Sequence, residues 1–91
     1  MDFLHEKDRI FLHDKAGKTI AEVTFPELEP GIVTIDHTFV DETLRGQQIA
    51  GKLMEQAACQ IRQSGKKLRC TCSYAVKWFD KHQEEYQDIL L

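Results

Sequence analysis

The sequence predicts a mixed α/β fold of the α+β type, with elements in the order β-β-β-α-β-α and helices packed on a central mixed sheet. Three observations predict it. Runs dense in β-branched and aromatic residues fill the first forty positions, broken at Gly17 and again across Pro26, Pro30 and Gly31. From Ile49 to Ile61 apolar residues recur at three- and four-residue steps, the mark of a helix with one buried stripe. After Gly65 a further strand-like run, residues 67–72, returns. A strand, a crossover helix and another strand imply that the flanking strands run parallel.

Composition sets bounds on function. A chain of 91 residues makes one domain, 1–91, with a core of limited size. Hydrophobic residues at 42% and charged ones at 30% fit a globular chain rather than a disordered one. A net charge of −3 argues against a nucleic-acid partner. No apolar run approaches the roughly 20 residues that span a bilayer, so no membrane partner is expected. The first residues, Met-Asp-Phe-Leu-His-Glu-Lys-Asp, are acidic and mixed, unlike a signal peptide. Cys59, Cys70 and Cys72 are an odd number of cysteines, which suggests reduced thiols and a cytoplasmic setting. The Cys70-Thr71-Cys72 pair lacks the second pair of ligands a structural zinc needs, so no metal site is expected.

Taken in order, residues 8–14 alternate Ile10 and Leu12 against Arg9, Phe11 and His13 and form the first strand. Residues 15–18 turn, with Gly17 free to adopt positive φ, and residues 19–25 return as the second strand of a hairpin. Residues 32–40 make the third strand. Val33, Ile35, His37 and Phe39 share one face, the expected core side. Thr43 is the candidate cap for a helix over residues 47–63, whose stripe is Ile49, Leu53, Met54, Ala57, Ala58 and Ile61; Cys59 falls beside it. Gly65 suits the position just past the helix end. Residues 67–72 form the fourth strand, with Leu68, Cys70 and Cys72 on one side. Ser73 is the candidate cap of a shorter helix containing Tyr74, Val76, Trp78 and Phe79. Residues 82–91 form a tail pinned by Tyr86, Ile89 and Leu90. His5, His13 and His82 are expected at the surface.

The segment from Val40 to Met54 carries the chemistry. A strand that passes through a short polar turn into a helix start builds an anion site, because the first N–H groups lack intrahelical acceptors and the helix dipole adds positive potential. Small residues there, Gly46, Ala50 and Gly51, let a phosphate approach the backbone.

Arg45-Gly46-Gln47-Gln48-Ile49-Ala50 resembles the acetyl-CoA signature of the GNAT acetyltransferase superfamily, which reads Arg or Gln, two residues, Gly, one residue, then Gly or Ala. Arg45 and Ala50 match, and Gln48 stands where the signature has glycine. His37-Thr38-Phe39-Val40, Cys72-Ser73-Tyr74, Lys81-His82 and Glu85-Tyr86 extend the resemblance to a miniature YjdJ-like subfamily of about ninety residues. The resemblance implies a shortened GNAT fold that binds acetyl-CoA. Its pantetheine would lie between the two parallel strands, against backbone groups of Phe39 and Val40. Its pyrophosphate would lie on the amides of Arg45, Gly46, Gln47, Gln48, Ile49, Ala50 and Gly51. Gln48 can stay helical there, and either its side chain crowds the phosphate or its amide donates a hydrogen bond to it; binding is expected to be weakened rather than abolished.

Three side chains are candidates for catalysis, each beside a plainer role. Cys72, at a strand end before a helix start, suits a thiolate nucleophile that takes the acetyl group; the alternative is a small buried residue. His37 suits a general base, or a satisfied half-buried histidine. Tyr74 suits the acid that protonates departing CoA, or an aromatic packed on Trp78 four residues on. Lys66, Lys67 and Arg69 form a basic cluster for the ribose phosphate, or a solvated face. The activity implied is N-acetyl transfer to an unidentified amine. The alternatives are an acyl-CoA carrier or sensor without turnover, and a protein-interaction module; larger members build the acceptor site from extra N-terminal helices.

Overall fold

The computed structural model describes residues 2–91 and begins with three antiparallel strands, β1 (Leu4–Glu6), β2 (Arg9–His13) and β3 (Thr19–Thr24). In β2 and β3 the period-2 alternation buries Ile10, Leu12, Ala21 and Val23 on one side. The turn between them closes on Asp14, whose carboxylate accepts the N–H groups of Ala16 at 2.9 Å and Lys18 at 3.0 Å. Strand β1 lies outside the sequence expectation. Its three residues are all exposed, so no apolar alternation marks it. It is held from the long helix, where the Gln60 amide donates to the Glu6 carbonyl at 2.8 Å and the Lys7 carbonyl at 3.2 Å.

The expected strand over residues 32–40 is two strands, β4 (Ile32–Ile35) and β5 (His37–Val40). β4 pairs in parallel with β6 (Lys67–Cys70), whereas β5 pairs antiparallel with β3. Between them Asp36 forms a bulge. His37 lies opposite Thr24, and the Thr24 carbonyl also accepts the Asp36 N–H at 3.3 Å. The Thr24 hydroxyl locks the bulge by donating to the Asp36 carboxylate at 2.5 Å. One surplus residue reverses the alternation. Val33 and Ile35 are buried, but beyond the bulge His37 and Phe39 turn outward and Thr38 and Val40 turn inward. The expected core face of the third strand therefore ends at Ile35.

The mixed α+β class and the crossover hold, and the helices pack on the sheet. Helix α1 (Ile49–Gln63) buries the whole expected stripe, Ile49, Leu53, Met54, Ala57, Ala58 and Ile61. Its end is a Schellman motif, with Lys66 N–H on the Ile61 carbonyl at 3.3 Å, Gly65 N–H on the Arg62 carbonyl at 3.1 Å, and Gly65 at φ 75°. Cys59 is exposed, outside the core in which a structural cysteine would sit. Among the described residues no helix covers the opposite face of the antiparallel ladder. Leu4, Phe11, Glu22 and Phe39 form a row across it. The Arg9 guanidinium covers Phe11 at 3.7 Å from the ring centroid and hydrogen-bonds Glu22.

β6 stops at Cys70. The N–H groups of Thr71 and Cys72 both donate to the Ile35 carbonyl, at 3.0 and 3.1 Å. Cys72 is therefore not a strand residue; it is the N-cap of α2 (Ser73–Lys81), the place expected for Ser73. A short α3 (Gln83–Tyr86) follows, and the tail turns back beside β6, with Leu68 N–H on the Ile89 carbonyl at 2.7 Å and Leu91 N–H on the Leu68 carbonyl at 3.0 Å. Tyr86 and Ile89 are buried and Leu90 packs against the core, as expected of the tail. His82, expected at the surface, is half-buried. Its ring stacks on Trp78 with centroids 4.0 Å apart, and Nδ1–H donates to the Trp78 carbonyl at 2.7 Å.

Candidate functional site

The bulge leaves β5 bound to β3 and β6 bound to β4, so beyond Ile35 the chain ends of β5 and β6 share no ladder. The opening between them points at the start of α1. Parity decides which backbone groups of β5 face it. Asp41 N–H donates to the Ile20 carbonyl at 2.8 Å, and opposed residues of an antiparallel pair alternate between bonded and unbonded. Phe39 thus spends its backbone on Glu22, and Thr38 and Val40 face the opening. Phe39, expected as a backbone ligand, turns its backbone groups to β3, whereas Val40, expected with it, and Thr38 turn theirs to the opening.

From β5 the chain enters a single 3₁₀ turn, Glu42–Leu44, capped by Asp41, whose carboxylate accepts both the Thr43 N–H at 3.2 Å and the Thr43 hydroxyl at 2.5 Å. These bonds hold the Asp41 carboxyl below its usual pKa. Thr43 is spent here and does not cap α1. Gly46 and Gln48 then both take positive φ, 85° and 59°. Gln48 is therefore not helical: it is the left-handed N-cap of α1, and the helix starts two residues later than expected. The first helical bond runs from Lys52 N–H to the Gln48 carbonyl at 3.2 Å. The N–H groups of Gln48, Ile49, Ala50 and Gly51 have no intrahelical acceptor, and no side chain caps them. Arg45 and Gln47 do not join this set, because their N–H groups close turns onto Glu42 and Leu44 at 3.2 and 3.3 Å. The Arg45 side chain is exposed and forms no ion pair among the described residues.

A cavity of about 320 Å³ occupies the opening, lined by Thr38, Val40, Leu44, Arg45, Gly46, Gln48, Ile49, Ala50 and Tyr74. Thr38 and Leu44 lie outside the sequence expectation. Counting outward from Val40 by twos finds Thr38; the bulge hides it from a count that starts at Val33. A larger hollow, about 460 Å³, lies between β6, α2 and the tail. It touches the start of the one-turn α3 at Gln83, whereas the smaller cavity borders the uncapped start of the long helix α1.

Cys72 does not itself line this cavity; its thiol donates to the hydroxyl of Thr38, which does, at 3.5 Å. Partial burial pushes its pKa up, but the Thr38 hydroxyl and the N–H groups of Ala75, Tyr74 and Thr38 outweigh that and leave it lowered. Cys70, more deeply buried and next to the Cys72 charge, is pushed up to about 11. The Tyr74 phenol lines the cavity and burial raises its pKa, so it holds its proton. Trp78 pairs with Phe79, His82 and Tyr86 rather than with Tyr74. His37 is not brought to Cys72. It sits on the outward side of β5 and approaches Glu22, Nε2 to Oε1 3.5 Å. Lys66 pairs with Glu27, Lys67 donates to the Asp88 carbonyl at 2.5 Å and Arg69 pairs with Glu29 at 2.7 Å. That cluster lies at the start of β6, away from the cavity. Among the described residues no group of three metal-ligating side chains assembles.

The family profile described as GCN5-related N-acetyl-transferase matches residues 9–89. The chain belongs to this family. GNAT acyltransferases use an acyl-CoA as co-substrate. A GCN5-like protein of Staphylococcus aureus, known from a solution structure, superposes with a TM-score of 0.81 at 27% identity, over 99% of this chain and 87% of that one. An acetyltransferase from Bacillus cereus gives 0.65 at 21% identity over 81% of this chain. Tetrahymena GCN5 gives 0.64 at 14% identity over 80% of it. The chain spans 54% and 48% of the length of these last two, which share its fold. No curated protein matches the chain. Among the described residues no helix is long and apolar enough to cross a membrane.

Proposed function

We propose that residues 1–91 act as a single acetyl-CoA-binding domain of the miniature YjdJ-like type, which transfers the acetyl group to an amine. One observation carries this reading: the opening between β5 and β6 leads directly onto four amides without acceptors at Gln48, Ile49, Ala50 and Gly51. Those amides, the helix dipole and Arg45 suit a diphosphate. The inward backbone of Thr38 and Val40 suits the amide groups of a pantetheine arm.

In this reading the Cys72 thiolate attacks the thioester carbonyl carbon. The Val40 N–H stabilises the oxyanion, the C–S bond breaks, and the Tyr74 phenol protonates the leaving thiolate. The acceptor amine then attacks the carbonyl carbon of acetyl-Cys72; the C–S bond breaks, the thiolate is regenerated and the amine proton passes to solvent. His37, beside Glu22 on the far face of β5, does not reach this step. Three free thiols fit a reducing compartment such as the cytoplasm.

The separation of His37 from Cys72 favours a second reading, an acyl-CoA carrier or sensor without turnover. Acetyl-CoA mixed with the protein and a panel of polyamines and peptides tests both, with free-thiol release and intact mass as readouts. Amine-dependent thiol release, with an acetyl adduct that Cys72→Ala abolishes, is expected. Binding without release or adduct would leave the carrier reading standing and remove the transferase.

A further inference from the structure

Of the three free thiols, two meet at one kink. Cys70 ends β6 and Cys72 caps α2, with Thr71 alone between them. Thr71 faces solvent, while both cysteines pack against the core. The Ile35 carbonyl takes the N–H groups of Thr71 and Cys72 together, at 3.0 and 3.1 Å, so the chain bends there instead of running on as a strand. Even an unbent chain sets alternate Cα atoms no more than about 7 Å apart, and a bend shortens that span into the range of about 4.4–6.8 Å that a disulfide bridges. We propose that Cys70 and Cys72 are a modification site, joined by peroxide into a reversible disulfide that takes the Cys72 thiol out of use.

The two sulfurs divide the work. Cys72 is partly exposed, and the Thr38 hydroxyl with nearby amides holds it toward the thiolate, so it meets the oxidant first. Cys70 lines the hollow of about 460 Å³ between β6, α2 and the tail, a path by which peroxide and a reducing thiol enter. The Cys72 thiolate attacks one peroxide oxygen; the O–O bond breaks, hydroxide leaves, and Cys72 becomes a sulfenic acid. The hydroxide takes up the proton that Cys72 gave to solvent. Oxidation also removes the negative charge that, after burial, holds the proton on Cys70. The Cys70 sulfur then attacks the sulfenic sulfur: the S–S bond forms, the S–O bond breaks, and hydroxide leaves with the Cys70 proton as water. Two thiols and one peroxide give one disulfide and two waters. A ring closed over a single residue is strained and therefore readily reduced. The bond itself needs no cofactor; its consequence for turnover rests on the transferase reading above.

Peroxide treatment of a Cys59→Ser protein, followed by mass analysis, tests the bond. The protein should lose about 2 Da, the tryptic peptide of residues 70–77 should carry that loss, and dithiothreitol should reverse it. With Cys70→Ser added, the mass should instead rise by about 16 Da as a dimedone-reactive sulfenic acid at Cys72, then pass on to the irreversible sulfinic acid. The oxidised Cys59→Ser protein should still bind acetyl-CoA and form no acetyl adduct until it is reduced. Under reducing conditions the Cys70→Ser protein should form the adduct as its parent does. Sulfinic acid at Cys72 while Cys70 stays a free thiol, or a bridge between two chains, would overturn the proposal. Absence of the adduct on the reduced protein, beside a disulfide that forms and opens as expected, would remove the transferase reading alone.

Discussion

Gln48 offers the sharpest test of the loop. It is the one described non-glycine residue with positive φ, at φ 59° and ψ 28°. An L-residue held there costs about 1–2 kcal/mol. Glycine removes that cost but gives back about 0.4–1 kcal/mol through the greater freedom of the unfolded chain. Gln48→Gly should therefore stabilise the protein by about 0.5–1 kcal/mol, a rise in Tm of about 2–8 °C for a domain of this size. Gln48→Ala keeps the Cβ in the same backbone region and should gain nothing. Scanning calorimetry on the three proteins decides the matter: a glycine variant no more stable than the alanine variant would refute the left-handed assignment. Affinity adds a second, separable readout. The Gln48 side chain lines the cavity at the helix start, so its removal should tighten CoA binding in both variants. A gain in Tm without a gain in affinity would keep the backbone account and remove the crowding one.

Leu53, fully buried under the sheet, should cost about 2–5 kcal/mol when cut to alanine, read as a lower urea midpoint at unchanged slope; a loss under about 1 kcal/mol would contradict the packing. In a Cys59→Ser background, Cys72 should alkylate at lower pH than Cys70, as mapped by peptide mass, and the reverse order would sink the thiolate assignment. Cys70 favours its neutral form in the folded protein. Its contribution is whole below the ordinary thiol pKa and is lost as pH rises toward about 11, so Cys70→Val should flatten the alkaline fall in Tm. Asp88 has the opposite sign. Its pKa is lowered by Arg62, so the clamp on the tail is present above the ordinary carboxylate range and lost as pH falls through the folded value. The protection factors of the Leu68 and Leu91 amides, taken against the intrinsic rate at each pH, should then fall in acid, and already at neutral pH in Arg62→Ala.

What could be read from the residues was whatever repeats. The stripe of α1 has six apolar positions at helical spacing, and all six are buried. The alternation of Ile10 with Leu12, and the Gly65 end of the helix, are equally regular. The features that shape the site are single departures from a repeat. Asp36 is one residue too many in a strand of otherwise suitable composition, and nothing local distinguishes it from a solvent-facing residue. A count by twos from Val33 therefore puts His37 inside and passes over Thr38, whereas His37 lies outside and Thr38 turns inward. Gln48 occupies a backbone region that a glycine would have announced. β1 is too short and too exposed to leave a pattern, and its partner Gln60 lies 54 residues from Glu6.

The slot at the heart of this protein is a matter of counting rather than of side chains. Deleting Asp36 would let the two halves of the strand run on as one and zip the sheet shut across the opening. Length changes in the hairpin loop between His13 and Thr19 would leave it untouched. Divergence in this chain should accordingly spare the number of residues between Ile35 and Thr38 more strictly than it spares their identity.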